Sequence, residues 1–186
     1  MRVVAGTARG RHLVSPPAAT TRSATERIRE SLFAIFEPRL EGAAVLDLFA
    51  GAGTLGIEAL SRGAARATFV ERSRPALAAI RENLRSTGFA DRASVVASDV
   101  LAFLARADRG GPYDVVFCDP PFADTATLST TLAHEGLRGA LAAGAMVVVR
   151  VLAKHRPAIP EGATTVREKR IGEETLLFVR YDPRTI

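Results

Sequence analysis

The sequence contains one cysteine, Cys118, no tryptophan, and three scattered histidines, His12, His134 and His155. A lone thiol excludes a disulfide framework, and the histidines offer no zinc-type spacing, so no metal is implied. The longest apolar run, residues 142–149, includes a glycine and falls far short of a bilayer crossing; it reads as a core strand. The first ten residues break into glycine and arginine after three apolar positions and lack the apolar centre of a secretory signal, which predicts a cytoplasmic protein. There is no internal repeat, low-complexity tract or long linker. Acid is also missing from the first 25 residues, which hold Arg2, Arg9, Arg11 and Arg22.

What is present fits one domain of ordinary size. In 186 residues, 47% are hydrophobic and 24% charged, close to the soluble globular average, which argues against disorder and fibrous classes. The net charge is +5, most of it on the acid-free N-terminal stretch. A local basic excess beside a balanced body predicts contact with a polyanion such as nucleic acid, although charge alone fits a solvated basic tail equally well. The expected division is an N-terminal basic hairpin and helix, 1–40, as an RNA-contacting appendage, and a core spanning 41–186. Mixed surface charge and a single core favour a monomer.

The start of the chain, Val3-Val4-Ala5, a glycine-bounded turn, then His12-Leu13-Val14, predicts two short strands. Ser23 and Glu26 have capping-box spacing, and Ile28, Leu32, Ile35 and Phe36 share one helical face until Pro38. From residue 43 strand and helix patterns alternate. Mostly apolar strands are expected at 44–49, 67–71, 94–97, 114–118 and 146–152, with helices at 55–62, 75–87, 100–107 and 128–141, as in a parallel sheet covered on both faces. The runs 164–171 and 175–181, joined by Gly172-Glu173-Glu174, predict a terminal antiparallel hairpin.

Two segments carry chemistry. The first strand ends in Asp47-Leu-Phe-Ala-Gly51-Ala-Gly53-Thr-Leu-Gly56, a G-x-G-x-x-G loop opening into a helix. Glu71 ends the next strand, where an acid can accept hydrogen bonds from ribose hydroxyls. A nucleoside-containing cofactor follows, and the glycines alone would also fit NAD or FAD. Asp47 decides between them: a carboxylate there would repel a pyrophosphate but suits the sulfonium and ammonium of S-adenosylmethionine. Read without this loop, Asp47 is a turn or helix cap. Asp99 offers a second acid at the same edge, where an adenine could be held, and taken alone reads as the N-cap of the helix starting at Val100.

The fourth strand runs into Asp119-Pro120-Pro121-Phe122. Two prolines remove N–H donors and leave carbonyls and the Asp119 carboxylate as acceptors. An exocyclic base amine is a poor nucleophile because its lone pair is delocalised. Acceptors that grip its hydrogens favour a pyramidal nitrogen aimed at an electrophilic methyl group, and Phe122 supplies a stacking face for an extruded base. In isolation Asp-Pro-Pro-Phe reads as a strand-ending turn. Its place at the strand edge shared with the glycine loop favours the functional reading. Cys118 reads as a small buried residue.

With these residues in place, the chain resembles class I S-adenosylmethionine-dependent methyltransferases and, more narrowly, the bacterial 16S ribosomal RNA guanine-N2 methyltransferase family called RsmD. The resemblance rests on Arg-Val-Val-Ala-Gly at the start, Thr21-Arg22, Glu26 to Phe33 (Glu-Arg-Ile-Arg-Glu-Ser-Leu-Phe), Val45 to Gly51, Gly56 to Ala64, Phe69-Val-Glu71 and Asp119 to Phe122. It implies a Rossmann-like α/β fold, with a seven-stranded, mostly parallel sheet ending in an antiparallel hairpin. It implies Gly51 and Gly53 under the methionine portion, Glu71 on the ribose and Asp99 near adenine, with Asp47, Phe49, Arg72 and Val100 completing the cofactor contacts. Asp119, Pro120 and Phe122 would face the target base, and Arg9, Arg11 and Arg22 would dock phosphates. The implied substrate is guanine 966 of 16S ribosomal RNA in an assembling small subunit. The chain departs from the family at Ser23-Ala24, commonly Pro-Thr, at Ala34, commonly Asn, and at Phe122, where Tyr is commoner.

Close alternatives keep the chemistry but change the acceptor to adenine N6 of DNA or a protein glutamine. The glycine fingerprint by itself would allow a dinucleotide-dependent oxidoreductase, and the basic N-terminus a non-catalytic ribosome-binding protein. The whole reading requires Asp47 and Asp119 to stand at one rim.

Overall fold

The short runs of valine, leucine and alanine from residue 43 onward form strands because branched and aliphatic side chains pack well on a pleated surface. In the computed structural model, which describes residues 1–16, 24–120 and 124–183, these are β1 (Ala44–Leu48), β2 (Arg66–Glu71), β3 (Ala93–Ala97), β4 (Tyr113–Cys118), β5 (Leu141–Leu152), β6 (Ala163–Ile171) and β7 (Glu174–Tyr181). They form one sheet in the order β3-β2-β1-β4-β5-β7-β6. Every pairing from β3 to β5 is parallel, while β7 runs antiparallel to both β5 and β6. The expected terminal hairpin is present.

The helices are α1 (Glu26–Phe36), α2 (Thr54–Ser61), α3 (Arg74–Thr87), α4 (Val100–Leu104), α5 (Thr125–Ala133) and α6 (Glu135–Ala140). Alternate strand residues feed two cores. Val45, Phe69, Phe117, Val148 and Phe178 pack with α1, α2 and α3, while Leu46, Val70, Cys118, Val149 and Leu177 pack with α4, α5 and α6. Strand β1 is buried throughout, as a central strand should be. Strands β3 and β6 are partly exposed because they are the sheet edges, a rank that their own sequences do not reveal.

Several expectations are corrected. Helix α1 is capped by Thr25, whose hydroxyl accepts from the Ile28 amide at 3.3 Å; Ser23 lies outside the described residues. The expected helix 128–141 is two helices. Asp124 caps α5 by accepting from the Thr127 amide at 3.0 Å, and the chain turns at His134, whose Nδ1 accepts from the Gly136 amide at 2.9 Å. Gly136 sits so close to the end of α4 that a Cβ there would stand 1.9 Å from the Leu104 carbonyl oxygen. Residue 141 already belongs to β5, and α4 stops at Leu104.

The N-terminal hairpin reduces to a single antiparallel bridge between Arg2 and His12, flanked by hydrogen bonds from Val3 N to Arg11 O and from Leu13 N to Met1 O. The ladder stops because side chains of the body take its amides. Glu58 of α2 accepts from Val4 N at 2.8 Å and Ala5 N at 2.9 Å, and Asn83 of α3 accepts from Val14 N at 2.8 Å. Ser61 accepts from Ala8 N, and Gly6 lies so near it that a Cβ would meet the Ser61 carbonyl oxygen at 1.9 Å. Val3, Ala8 and Leu13 join the same apolar cluster as Phe117, so this segment is packed on the core.

Glu58 is 1% exposed and also pairs with Arg62 at 2.9 Å and lies 3.9 Å from buried Arg29. Glu58→Ala would strand one buried arginine and two amides, with an expected loss of about 3–5 kcal/mol. Urea unfolding measures the loss, and hydrogen exchange at Val4 and Ala5 should accelerate beyond the global change.

Candidate active site

The chain order makes the site. After β1 it builds outward through β2 to β3, then returns to place β4 on the other flank of β1. Carboxyl ends of strands diverge at such a switch point and leave a crevice. The glycine loop follows β1 and Asp119 follows β4, and these strands are paired with Asp47 opposite Phe117 and Leu48 opposite Cys118. Asp47 and Asp119 therefore stand at one edge and, by strand alternation, on the sheet face covered by α1–α3.

Asp47 is 1% exposed, and its Oδ2 accepts from the Gly56 amide in the first turn of α2 at 2.9 Å. It thus carries out the capping role and places a carboxylate directly behind the loop. Burial pushes its carboxyl well above the ordinary range; the Gly56 hydrogen bond opposes this, and the nearby charges of Asp119 and Glu71 add to it. Gly51 and Gly53 have φ of 56° and 76°, which a side chain would strain. Phe49 adopts φ 60° without that freedom, the one such non-glycine residue among those described. A Cβ on Gly56 would stand 2.3 Å from a Phe69 ring carbon, so this glycine lets α2 pack on β2.

Glu71 is half-buried, and its two oxygens accept from the amides of Gly51, Arg72 and Ser73, each at 2.8 Å, so it ties the loop to the next strand. Asp99 caps α4 by accepting from Leu101 N at 2.9 Å and faces exposed Arg72 at 3.4 Å. Val100 is buried at the start of that helix. Sequence reading missed Asn83, whose amide donates to the Ala52 carbonyl in the glycine loop at 2.9 Å and to Val14 O at 3.0 Å. It couples the N-terminal segment to the loop, and a lone asparagine on a helix gives no sequence signal of that.

Asp119 is held differently from expectation. Its side chain is 13% exposed and accepts two hydrogen bonds from one edge of the Arg150 guanidinium, Oδ1 from Nε at 2.7 Å and Oδ2 from Nη2 at 2.9 Å. Arg150 also donates through Nη1 to Glu174 at 2.9 Å. Burial raises the Asp119 carboxyl, and the Arg150 charge and hydrogen bonds pull it back down. Arg150 and Glu174 were missed, although an arginine inside Met-Val-Val-Val-Arg-Val-Leu is a visible anomaly in a buried strand. Pro120 is buried beside Asp119; Pro121 and Phe122 lie outside the described residues, as does Arg22. Arg9 and Arg11 are exposed on the turn of the N-terminal segment. Cys118 is fully buried, and that burial pushes its thiol up, away from the reactive thiolate.

A sheet of this order with a reversed β7, a glycine loop after β1 and an acid closing β2 defines the class I methyltransferase fold. Solved structures agree: a putative methyltransferase, yhhF, from Escherichia coli superposes with TM-score 0.86 at 35% identity over 99% of both chains. A hypothetical protein from Thermus thermophilus gives 0.77 at 33%, covering 96% of this chain and 98% of that one. Residues 1–180 match the family described as "Conserved hypothetical protein 95". The chain is 38% identical over 174 residues to ribosomal RNA small subunit methyltransferase D of Escherichia coli K12, which covers 93% of this chain and 86% of that protein. The namesake from Haemophilus influenzae is 34% identical over 175 residues, 92% and 89% of the two chains. The chain belongs to this family, that of the RsmD methyltransferases.

The buried Asp47 has a checkable consequence. An acid whose folded pKa is raised keeps its proton after the unfolded chain has lost its own, so folding stability falls as pH rises through that window. Asp47→Asn keeps an acceptor for Gly56. Ligand-free wild type should lose stability relative to this variant as pH rises from about 4 toward neutrality, and the two should track together below that. Thermal unfolding across pH measures the difference.

Proposed function

We propose that the protein transfers a methyl group from S-adenosylmethionine to the exocyclic N2 of a guanine in 16S ribosomal RNA, the guanine at position 966, during small-subunit assembly. It would act as a cytoplasmic monomer. The observation that carries this is the placement of Asp119 beside the glycine loop at the β1/β4 switch point, in a chain so similar to small-subunit ribosomal RNA methyltransferases.

The residues present fit the donor. Apart from its chain neighbours, none of the described residues comes within 4 Å of where a Cβ on Gly51 would stand, so backbone there is open to a ligand, and half-buried Glu71, which accepts from the Gly51 amide, is at hand for a ribose. Asp47 puts a carboxyl behind the loop whose ionised form a cationic ligand would favour and a pyrophosphate would oppose. S-adenosylmethionine supplies an electrophilic methyl on a sulfonium. Phe49, Gly53, Arg72, Asp99 and Val100 line the same edge and complete its binding set.

The chain's own work at the acceptor is positioning. Asp119 and the Pro120 carbonyl accept hydrogen bonds from the amine, which turns the nitrogen lone pair toward the donor and away from the ring. The proton leaves the nitrogen as or after the new bond forms, so no tuned base is required before attack. Alignment and fixed charge carry the rate. Phe122 stacks the extruded base, and Arg9, Arg11 and Arg22 hold phosphates.

Asp119→Ala should abolish methylation of ribosomal RNA while calorimetric affinity for S-adenosylmethionine persists; loss of both together overturns this division of roles. Comparing the modified positions of ribosomal RNA from cells with and without the gene, together with mass spectrometry of the released nucleosides, reports position and acceptor atom together. N6-methyladenine as the missing product would refute the guanine assignment, and calorimetric binding of NAD in place of S-adenosylmethionine would refute the donor. Replacing Arg9 and Arg11 by alanine should weaken RNA binding and flatten its salt dependence, by about 0.7–0.9 in the log–log slope for each phosphate that is no longer neutralised.

A further inference from the structure

We propose that Arg150 is a positioning residue of the acceptor site, a guanidinium fork that fixes both oxygens of Asp119 and is braced from behind by Glu174. The inference rests on Asp119 being the acceptor for the amine. Its basis is geometric. Cys118 pairs with Val149 in the parallel β4/β5 ladder, so the next residues on each strand, Asp119 and Arg150, are cross-strand neighbours. Strand β7 enters antiparallel with Leu152 opposite Glu174, which brings that carboxylate alongside the arginine. The side chains of Arg150, Asp119 and Glu174 are 6%, 13% and 15% exposed.

The two contacts to Asp119 run from Nε and Nη2, the fork that matches a carboxylate edge-on. They lock both carboxylate torsions of Asp119 at the end of a strand, where one hydrogen bond would leave it free to swing. An ionised carboxylate has about four lone-pair positions, and the fork uses two. The remaining positions and the exposed part of the side chain stay open to an incoming amine. Glu174 occupies Nη1, which fixes the guanidinium plane in turn. Such a cluster is an expensive choice for stability alone, since apolar residues usually serve a buried strand as well or better. Its position at the reacting edge gives it a use.

The charges around Asp119 act in opposite senses. Asp47 from β1 and Glu174 from β7 disfavour its anion, and Arg150 from β5 favours it. Cys118, its neighbour in the chain, is neutral, and His155 and Asp124 line the cleft that Pro120 and Arg150 share. Removing the arginine therefore leaves Asp119 harder to ionise and unfixed in direction.

The test uses the full chain with S-adenosylmethionine and small subunits isolated from cells lacking the gene. Arg150→Met should lower kcat on the order of 100-fold, as expected for a misplaced reactive group. Its S-adenosylmethionine affinity should be unchanged and the acid limb of its kcat–pH profile displaced to higher pH. Arg150→Lys keeps charge without the fork, so it should return the acid limb toward wild type while kcat stays depressed; it also serves if the methionine variant fails to fold. Wild-type kcat in Arg150→Lys, or a wild-type pH profile in folded Arg150→Met, overturns the inference. Asp119→Ala separates the two layers: if it is as active as wild type, the acceptor assignment itself fails, whereas if it is inactive while the Arg150 variants are normal, only the role of Arg150 falls.

Discussion

The parallel register of β4 against its neighbours is the constraint on which the site depends. Leu48 opposite Cys118 sets the glycine loop beside Asp119, and Cys118 opposite Val149 sets Arg150 beside the same carboxylate. A slip of one residue would turn every one of these side chains to the opposite face. The register is held by apolar residues on both faces, with Val115 and Phe117 packed one way and Val116 and Cys118 the other. Aromatic contacts such as Phe33 edge-on to Phe117 at 5.6 Å fasten α1 across that strand.

The result is a rim of carboxylates in unlike surroundings. Asp47 is sealed in and bound to an amide, Glu71 is spread over three amides, and Asp119 is clasped by a cation. Three carboxyl groups are thus gathered at one edge, each held by at least one hydrogen bond. Electrostatic preorganisation of this type needs no movement at the moment of reaction.

The N-terminal segment is joined to this rim through side chains of the body. Glu58, Ser61 and Asn83 take backbone groups that a longer hairpin would have used, and Asn83 also reaches the carbonyl of Ala52. The basic turn carrying Arg9 and Arg11 is therefore anchored on the same two helices that frame the loop.

The alternation of apolar strands with amphipathic helices determined the layered α/β architecture, and the Gly51-x-Gly53-x-x-Gly56 spacing with Asp47 before it and Glu71 after it determined the tight loop that joins β1 to α2. These are local signals: periodicity, glycine at positive φ, and an acid at a strand end are written in consecutive residues. Thr25 as the cap in place of Ser23, the break at His134 and the edge rank of β3 were not so written, because each depends on what another element presses against. Arg150 and Glu174 lie 31 and 55 positions beyond Asp119, and only the pairing of β5 with β4 and β7 decided that Arg150 meets Asp119 and Glu174 meets Arg150. Burial then decided that they pair, since a charge that is ordinary in a chain becomes a demand for a partner once water is gone.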